Sequence, residues 1–340
     1  MNSTVKEEMD KIKIPQGFRI GHAQDEYTGV TAIIAKQGAV AGFSCMGGAP
    51  AAKETELLRS EKMVQKIHAA VLSGGSAYGL EASCGVMKYL REQKIGFSLN
   101  KKVIPIVPAL AIFDLNDKDY HYPDIQMGYK ACENTLKKPE SGNIGAGKGA
   151  TAGKIRGLKN AVKTGLGIAS YTVAGITITA VVVPNPLGDI YDVDGKIIAG
   201  AKGKNGNFIN TEKCLLNNDY LKILLGTNTT IGCIMTDAKI TKAQANKLAQ
   251  VAHDGLARVI KPVHTDYDGD AFIVMASNKK PVLNTLPLHV GVVNAVEQAI
   301  INAVKNVVGQ EIVYDSESED VMSDQIKTIY ENPKEISNQG

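Results

Sequence analysis

The sequence predicts an α/β protein, and three patterns carry that prediction. An apolar stretch at 67–72 stops at Gly74-Gly75 and gives way to a helical pattern, which is typical of a strand–helix joint. Residues 176–181, ITITAV, alternate with the period of two that marks a β-strand. Residues 289–309 have the length and apolar content of a C-terminal helix. Strands and helices are therefore mixed along one chain.

The first half of the chain is expected to begin with two strands, at 18–23 and 29–44, around a turn. The segment 104–115 has Pro at its margins, so we expect a buried strand at a sheet edge or bend. The other elements predicted here are a helix at 56–65, the strand at 67–72, and a helix at 76–93 whose apolar stripe is Leu80, Cys84, Met87 and Leu90.

The second half predicts a hairpin around Gly175 and a surface loop or linker at 200–226. Thr241 with Gln244 forms the sequence pattern of a capping box, which starts a helix that runs to about Ile260. The remaining elements predicted here are a strand at 228–237, a turn at 266–270 and a strand at 271–277.

Composition excludes some classes of partner. The 38 Lys and Arg residues nearly balance the 35 Asp and Glu residues, which gives a formal net charge of +3. Proteins that bind nucleic acid or membrane surfaces depend on concentrated positive charge. Aromatic residues make up only 5% of the chain and Trp is absent, so there is little material for stacking bases. We therefore expect a small-molecule substrate, with neither nucleic acid nor membrane as a partner.

The cysteines and the termini suggest a cytoplasmic protein with one main domain. Five cysteines contain no C-x-x-C pair, so neither a disulfide framework nor a zinc site is predicted. The polar N-terminus lacks the apolar stretch of a signal peptide, and no window approaches the ~18 apolar residues of a membrane span. We expect a polar extension at 1–17, a single domain at 18–314 and an acidic tail at 315–340.

The glycine-rich segment at 145–154 resembles a nucleotide loop but fails the test for one. A Walker A loop needs a hydroxyl residue after its Lys, whereas Ile155 follows Lys154. The segment fits only the looser dinucleotide fingerprint, and no convincing strand precedes it. The histidines lack metal-ligand spacing, and the Asp-x-Asp pattern at 268–270 lacks the other calcium ligands. The sequence predicts no cofactor and no metal, and the glycines are interpreted as backbone that lines a cavity.

The Asn228-Thr229-Thr230 segment allows two interpretations. Spacing alone favours the threonine-rich start of a β-strand. The chemical alternative is a nucleophile that the chain makes for itself. If the Thr229 hydroxyl attacks the Asn228 carbonyl, an N→O acyl shift and hydrolysis split the chain and leave a free α-amine on Thr229. That amine, with an ordinary pKa of about 7.7–8.0, can serve as base for its own hydroxyl.

A family resemblance favours the chemical interpretation. From about residue 18 to 305 the chain resembles the DmpA-type aminopeptidases, a family that includes β-peptidyl aminopeptidases and nylon-oligomer hydrolases. The collinear motifs that carry the resemblance are GHA at 21–23, GGAP at 47–50, HAAVLSGGSAYGLEAS at 68–83, VPALAIFDL at 107–115, PDIQMGY at 123–129, GNIGAGKGATAGK at 142–154, VVPNPLGDI at 182–190, IIAGA at 197–201, NTTIGCIMTDA at 228–238 and AQVAHDGLARVIKPVHTDYDGD at 249–270.

The resemblance implies an α-β-β-α four-layer sandwich of the ornithine-acetyltransferase-like class, in which two sheets lie between helical layers. It also implies that the chain cuts itself between Asn228 and Thr229, so that residues 1–228 and 229–340 form α and β subunits. Thr229 would then be the nucleophile, and homo-oligomers of αβ units are expected. The implied activity is hydrolysis of a small amide or peptide through an acyl-enzyme.

Four further residues match functional positions of the family. Asn185 matches the Asn that helps hold the oxyanion, where a neutral donor suits the developing negative charge. Lys154 matches a lysine near the nucleophile in the nylon-oligomer branch, although a surface lysine at a helix start is the alternative. Asp268 and Asp270 match positions that orient the amine of the nucleophile. Carboxylates at i and i+2 of an extended segment share a face, so both can reach one ammonium.

The chain departs from the aminopeptidase pattern at two positions that concern the substrate. The aminopeptidase branch has Glu-x-Tyr where this chain has Ala111 and Phe113, so neither an amine-binding carboxylate nor a phenol donor is available there. Met46 also replaces the family's usual Arg. Two alternatives to hydrolysis stay open: an acyltransferase that passes the acyl group to an amine, and an unprocessed binding or scaffold relative.

Overall fold

The computed structural model describes residues 12–115, 120–136, 139–220 and 227–307. Most of the predicted extension at 1–17 and all of the predicted tail at 315–340 lie outside the described residues. In chain order the strands are β1 Phe18–Gln24, β2 Gly29–Cys45, β3 Ala51–Lys53, β4 Lys66–Ser73, β5 Phe97–Leu99, β6 Lys102–Ile104, β7 Ala109–Ala111, β8 Thr135–Leu136, β9 Thr151–Ala152, β10 Val162–Lys163, β11 Gly167–Val173, β12 Ile176–Asn185, β13 Asp189–Tyr191, β14 Ile197–Ala199, β15 Thr229–Ala238, β16 Ile260–Lys261 and β17 Ala271–Lys280.

The α-helices are α1 Ser76–Gly79, α2 Ala82–Glu92, α3 Ile125–Glu133, α4 Thr211–Leu216, α5 Lys242–Val259 and α6 Leu286–Lys305. Short 3₁₀ turns occur at Glu56–Leu58, Gly145–Gly147 and Leu158–Asn160. Among the helices of the described ranges, none is long and apolar enough to cross a membrane.

One long strand joins the two halves of the main sheet. The order is β11-β12-β15-β17-β2-β4-β7-β3, with β1 also on β2 and β8 on β1. β2 pairs mainly with β1 and β4 along its first part and with β17 at its end. Its register against β4 shifts between Ile34 and Ala39, where an irregularity lets the strand bend. The sheet therefore folds over on itself through β2.

Most of the buried apolar residues among the described ranges fall into three layers. α5 and α6 pack on one outer face, against β11, β12, β17 and the later part of β2. α2 and α3 cover the other outer face, against β1, β2 and β4. Between the two halves of the sheet lies a third layer to which both contribute, including Leu72 and Ile33 from one and Val183, Ile231 and Ile273 from the other. This arrangement confirms the predicted α-β-β-α four-layer sandwich.

The capping box and the hairpin form as predicted. Thr241 Oγ1 accepts the Gln244 N–H, and Gln244 Oε1 accepts the Thr241 N–H, so both backbone donors at the start of α5 are satisfied. β11 and β12 pair antiparallel around a turn in which Gly175 has a φ of +78°, a left-handed conformation that glycine adopts without strain.

The predicted helix at 56–65 is wrong, since only Glu56–Leu58 forms a 3₁₀ turn. In this segment only Leu58 is buried. The charged side chains of the segment pair with one another at the surface, as Arg59 does with Glu61. A helix here would have no apolar stripe to bury, and short isolated helices are marginal in water.

Two further predictions need correction. The strand predicted at 104–115 is reduced to β7, because Pro105 and Pro108 have no N–H to donate to a ladder. It lies one strand in from the edge, between β3 and β4. The predicted loop at 200–226, whose last residues 221–226 lie outside the described ranges, contains α4. The buried Asp189 carboxylate holds the start of α4 by accepting the Thr211 N–H at 2.6 Å.

Candidate active site

Strand pairing places Thr229 opposite Asn185. Thr229 begins β15, Asn185 ends β12, and the two residues are direct partners in the antiparallel register. Alternate residues of a strand share a face, so Thr229 lies on the side of Ile231 and Asn185 on the side of Val183. Both of these neighbours belong to the layer between the sheets. Thr229 and Asn185 are thus buried at the rim of that layer, 2% and 0% exposed.

The Asn228–Thr229 peptide bond is held by a turn that precedes β17. The Asn228 carbonyl accepts the Gly269 N–H at 2.9 Å and also a hydrogen bond from the Thr229 hydroxyl. Asn228 Nδ2 donates to the Tyr267 carbonyl at 3.4 Å. A Cβ on Gly269 would lie 2.7 Å from Thr229 Oγ1, so only glycine permits this close approach. The Thr229 hydroxyl therefore lies against the carbonyl of the preceding residue, and a backbone donor polarises that carbonyl.

The Asn185 side chain is fixed by partners on both of its amide atoms. Its Oδ1 accepts the Thr151 N–H at 3.1 Å, which orients the amide. Its Nδ2 donates to the carbonyls of Phe113, at 3.0 Å, and of Thr227, at 3.3 Å. One donor of the amide therefore points at the chain just before the Asn228–Thr229 bond.

Lys154 lies beside the same strand end, with its ammonium among main-chain carbonyls. Nζ donates to the carbonyls of Thr151 at 3.1 Å, Asn185 at 2.8 Å and Pro186 at 3.2 Å. An ammonium has three donors, and all three are used here. Burial lowers the pKa of Lys154 to about 7, against the opposing effect of the Asp268 and Asp270 carboxylates. The alternative of a surface lysine at a helix start does not describe this side chain, which is half-buried and whose ammonium donates to three main-chain carbonyls.

Asp268 and Asp270 are both 1% exposed and hold different parts of the site. Asp268 accepts the Leu187 N–H at 3.2 Å and the Thr265 hydroxyl at 2.5 Å. Burial and the neighbouring Asp270 carboxylate raise the pKa of Asp268. Asp270 Oδ1 accepts the Thr230 N–H at 2.7 Å, directly after Thr229. That the two carboxylates together orient a Thr229 amine stays a prediction.

The segment that departs from the aminopeptidase pattern does adjoin the site. Ala111 is buried in β7, and the Phe113 carbonyl accepts from Asn185. Asp114 follows, fully buried, and accepts the Gly75 N–H at 2.6 Å and the Thr28 hydroxyl at 2.8 Å. Burial raises the pKa of Asp114 to about 7.

The structure brings all six sequence-predicted residues into one region. Asn185 pairs with Thr229, and Asn228 forms a bridge with Asp268. Lys154 binds the Asn185 carbonyl, and the charges of Asp268 and Asp270 act on Lys154. Sequence reasoning missed Gly269, Thr151 and His264, although each lies inside a motif that was singled out. The sequence signal was their position in the chain: Gly269 follows Asp268, Thr151 lies three residues before Lys154, and His264 begins the segment HTDYDGD at 264–270. Across the part of the chain that the structure describes, no group of three or more His, Cys, Asp or Glu residues could hold a metal ion.

Comparison with known proteins gives a family match over most of the chain. Residues 12–313 match the model of peptidase family S58. A protein described as an uncharacterized aminopeptidase from Mycobacterium leprae is 37% identical over 262 residues, which are 73% of this chain and 70% of that protein. A 6-aminohexanoate-oligomer endohydrolase from Paenarthrobacter ureafaciens is 30% identical over 283 residues, which are 80% of this chain and 76% of that protein.

Solved structures give the same fold. A β-aminopeptidase from a Burkholderia species superposes with a TM-score of 0.64 at 21% identity, over 86% of this chain and 89% of that chain. The L-aminopeptidase D-Ala-esterase/amidase from Ochrobactrum anthropi, described as a variant of the Ntn hydrolase fold, superposes with a TM-score of 0.62 at 18% identity, over 92% and 93%. The sandwich, the match over residues 12–313 and these relatives together show that the chain belongs to peptidase family S58 and is a hydrolase of amide bonds.

Proposed function

We propose that this hydrolase makes its own nucleophile by cutting the Asn228–Thr229 bond, and that Thr229 then attacks the amide substrate. The observation that carries the proposal is the contact of the Thr229 hydroxyl with the Asn228 carbonyl, which also accepts the Gly269 N–H. A hydroxyl beside the carbonyl on its own N-terminal side is the arrangement that an N→O acyl shift requires.

Self-cleavage proceeds in two steps. Thr229 Oγ attacks the Asn228 carbonyl carbon, and the Gly269 N–H stabilises the negative charge that develops on the oxygen. The C–N bond breaks as the nitrogen takes up a proton, which leaves an ester between Asn228 and Thr229 Oγ. Water then hydrolyses the ester, giving a carboxylate on Asn228 and a free amine and hydroxyl on Thr229.

Cleavage also changes the state of Asn185. In the intact chain the Thr227 carbonyl occupies one donor of its Nδ2 group. When the new carboxyl end moves away, that donor becomes free to bind a substrate carbonyl opposite Thr229. The Thr151 N–H still holds Oδ1 and keeps the amide oriented. Asn185 thereby supplies oxyanion stabilisation in the mature enzyme.

The mature reaction uses the Thr229 amine as base for its own hydroxyl, with an ordinary pKa of about 7.7–8.0. Attack on the substrate amide forms an acyl-enzyme on Thr229 and releases the amine product, and water then releases the acid. Lys154, Asp268 and Asp270 supply the surrounding charges, and the lowered pKa of Lys154 keeps it near its titration point at neutral pH.

The substrate we propose is a small amide or peptide, for which a free amino group is not required. Ala111 and Phe113 offer no carboxylate at the place where Phe113 adjoins Asn185. Similar proteins are described as an aminopeptidase and as a 6-aminohexanoate-oligomer endohydrolase, so the proposed substrate class includes peptides and other amides. We further propose homo-oligomers of αβ units. A cytoplasmic location agrees with five free cysteines.

The test compares wild type with Thr229→Ala and Thr230→Val. Thr230 Oγ1 is buried and finds no hydrogen-bond partner in the described ranges of the chain, so Thr230→Val preserves the shape of the side chain and removes no hydrogen bond of the described site. We expect wild type and Thr230→Val to cleave and to hydrolyse short peptides with free or acetylated amino ends, and Thr229→Ala to do neither. Full cleavage and hydrolysis by Thr229→Ala would contradict the proposal.

A further inference from the structure

His264 holds one carboxylate oxygen of Asp270 with two separate groups. Its backbone N–H donates to Asp270 Oδ2 at 3.1 Å, and its ring Nδ1 lies 2.8 Å from the same oxygen. A carboxylate accepts hydrogen bonds, so Nδ1 carries the proton in this contact. The backbone and the side chain of His264 therefore both bind Asp270 Oδ2.

The backbone of His264 adopts a conformation that non-glycine residues rarely take. Its φ is +58°, in the left-handed region. Strained backbone of this kind persists only where surrounding contacts determine it, and it concentrates at functional sites. In His264 the left-handed backbone occurs together with the contact of both its backbone N–H and its ring Nδ1 with Asp270 Oδ2.

The carboxylate connects His264 to the nucleophile. Asp270 Oδ1 accepts the N–H of Thr230 at 2.7 Å, and Thr230 directly follows Thr229. Behind His264, the ring of His253 packs edge-to-face at 4.8 Å and in turn packs on Phe272 at 5.1 Å. The His264 side chain is only 15% exposed. The His264 imidazole thus lies between the ring of His253 and the Asp270 carboxylate, which binds the backbone at the start of β15.

We propose that His264 is a positioning residue of the site described above: its Nδ1–H fixes the Asp270 carboxylate so that Asp270 holds the Thr230 N–H and, through it, the Thr229 nucleophile. This inference rests on the proposed role of Thr229. His264 does not touch the reacting atoms. Its effect falls on the placement of Thr229, so both self-cleavage and substrate turnover depend on it.

The test replaces the imidazole while respecting the backbone. His264→Gly tolerates the left-handed φ and removes the Nδ1 donor. His264→Asn also tolerates that φ, and its amide nitrogen can occupy the place of Nδ1. Loss of one charge-assisted hydrogen bond predicts that His264→Gly lowers kcat and the self-cleavage rate about ten- to a hundredfold with KM changed less than about threefold. We expect His264→Asn to recover most of that loss.

Folding is checked by circular dichroism and thermal melting, and His264→Ala is measured as a second donor-free variant in case the glycine chain does not fold. A folded donor-free variant with wild-type kcat and cleavage rate overturns the inference. Equal loss in His264→Asn and His264→Gly, in parallel with equal loss of melting temperature, also overturns it, since a purely structural role gives that result. If wild type itself neither cleaves nor hydrolyses, the proposed function fails instead.

Discussion

Asn185→Ala separates the two roles that the structure gives to this side chain. The substitution removes the acceptor for the buried Thr151 N–H and the donors to the Phe113 and Thr227 carbonyls. An unpaired buried donor costs about 1–3 kcal/mol of unfolding free energy. For a chain of 340 residues that lowers the melting temperature by roughly 1–4 °C.

The effect on catalysis is expected to be larger. Loss of one oxyanion donor lowers kcat by about 10²–10³, since the donor acts on charge that develops only in the transition state. Because uncleaved chain is inactive in our account, kcat is expressed per cleaved chain, with the cleaved fraction taken from intact mass spectrometry. KM should change much less than kcat.

Thr164→Val provides the matched control. Thr164 Oγ1 donates to the Pro184 carbonyl at 2.6 Å, one residue before Asn185, and among the described residues it makes no hydrogen bond to Thr229. This variant should lose about 1 kcal/mol of stability and keep kcat within about threefold of wild type. If Asn185→Ala loses stability like Thr164→Val and also keeps its kcat, then Asn185 is structural only and the reasoning about the oxyanion is refuted.

Two further predictions concern Lys154 and Gly269. The pKa of Lys154 is lowered to about 7, so between about pH 7 and 10 the unfolded chain holds a proton that the folded chain has lost, and the free energy of unfolding rises with pH. Thermal melts across that range should show this rise in wild type and not in Lys154→Met; identical pH profiles would contradict it. Gly269→Ala places a Cβ 2.7 Å from Thr229 Oγ1 and 2.5 Å from the Ala49 carbonyl, so self-cleavage followed by mass spectrometry should slow at least tenfold. Cleavage at the wild-type rate would show that the turn does not constrain Thr229.

Local patterns in the sequence were sufficient where one short-range interaction decides the structure. The Thr241 and Gln244 capping box and the Gly175 turn depend on residues three or fewer apart, so their sequence patterns predict them. The helix predicted at 56–65 failed because helical spacing says nothing about whether a packing surface is available. The bend of β2, which folds the sheet into two layers, is not predicted by any local sequence pattern.

In the candidate site, too, local motifs identify residues, whereas their contacts depend on parts of the chain that are distant in sequence. The motifs identified Thr229, Asn185 and the two aspartates, yet the register that pairs Asn185 with Thr229 depends on strands 44 positions apart in the numbering. The three carbonyls that bind the Lys154 ammonium meet only in the folded chain, and the loss of solvent there lowers the pKa of Lys154. The contact of His264 with Asp270 depends on a left-handed backbone that no sequence pattern for histidine predicts.

The most direct test of the central claim is the intact mass of purified wild-type protein, with the N-terminal residue of the smaller fragment identified by tandem mass spectrometry. Our account predicts fragments of 228 and 112 residues, about 24 and 12 kDa in proportion to the 36.2 kDa chain, the smaller one beginning with the nucleophile Thr229. A chain that stays whole through long incubation while hydrolysing amides, or a cut at any other bond, would contradict it.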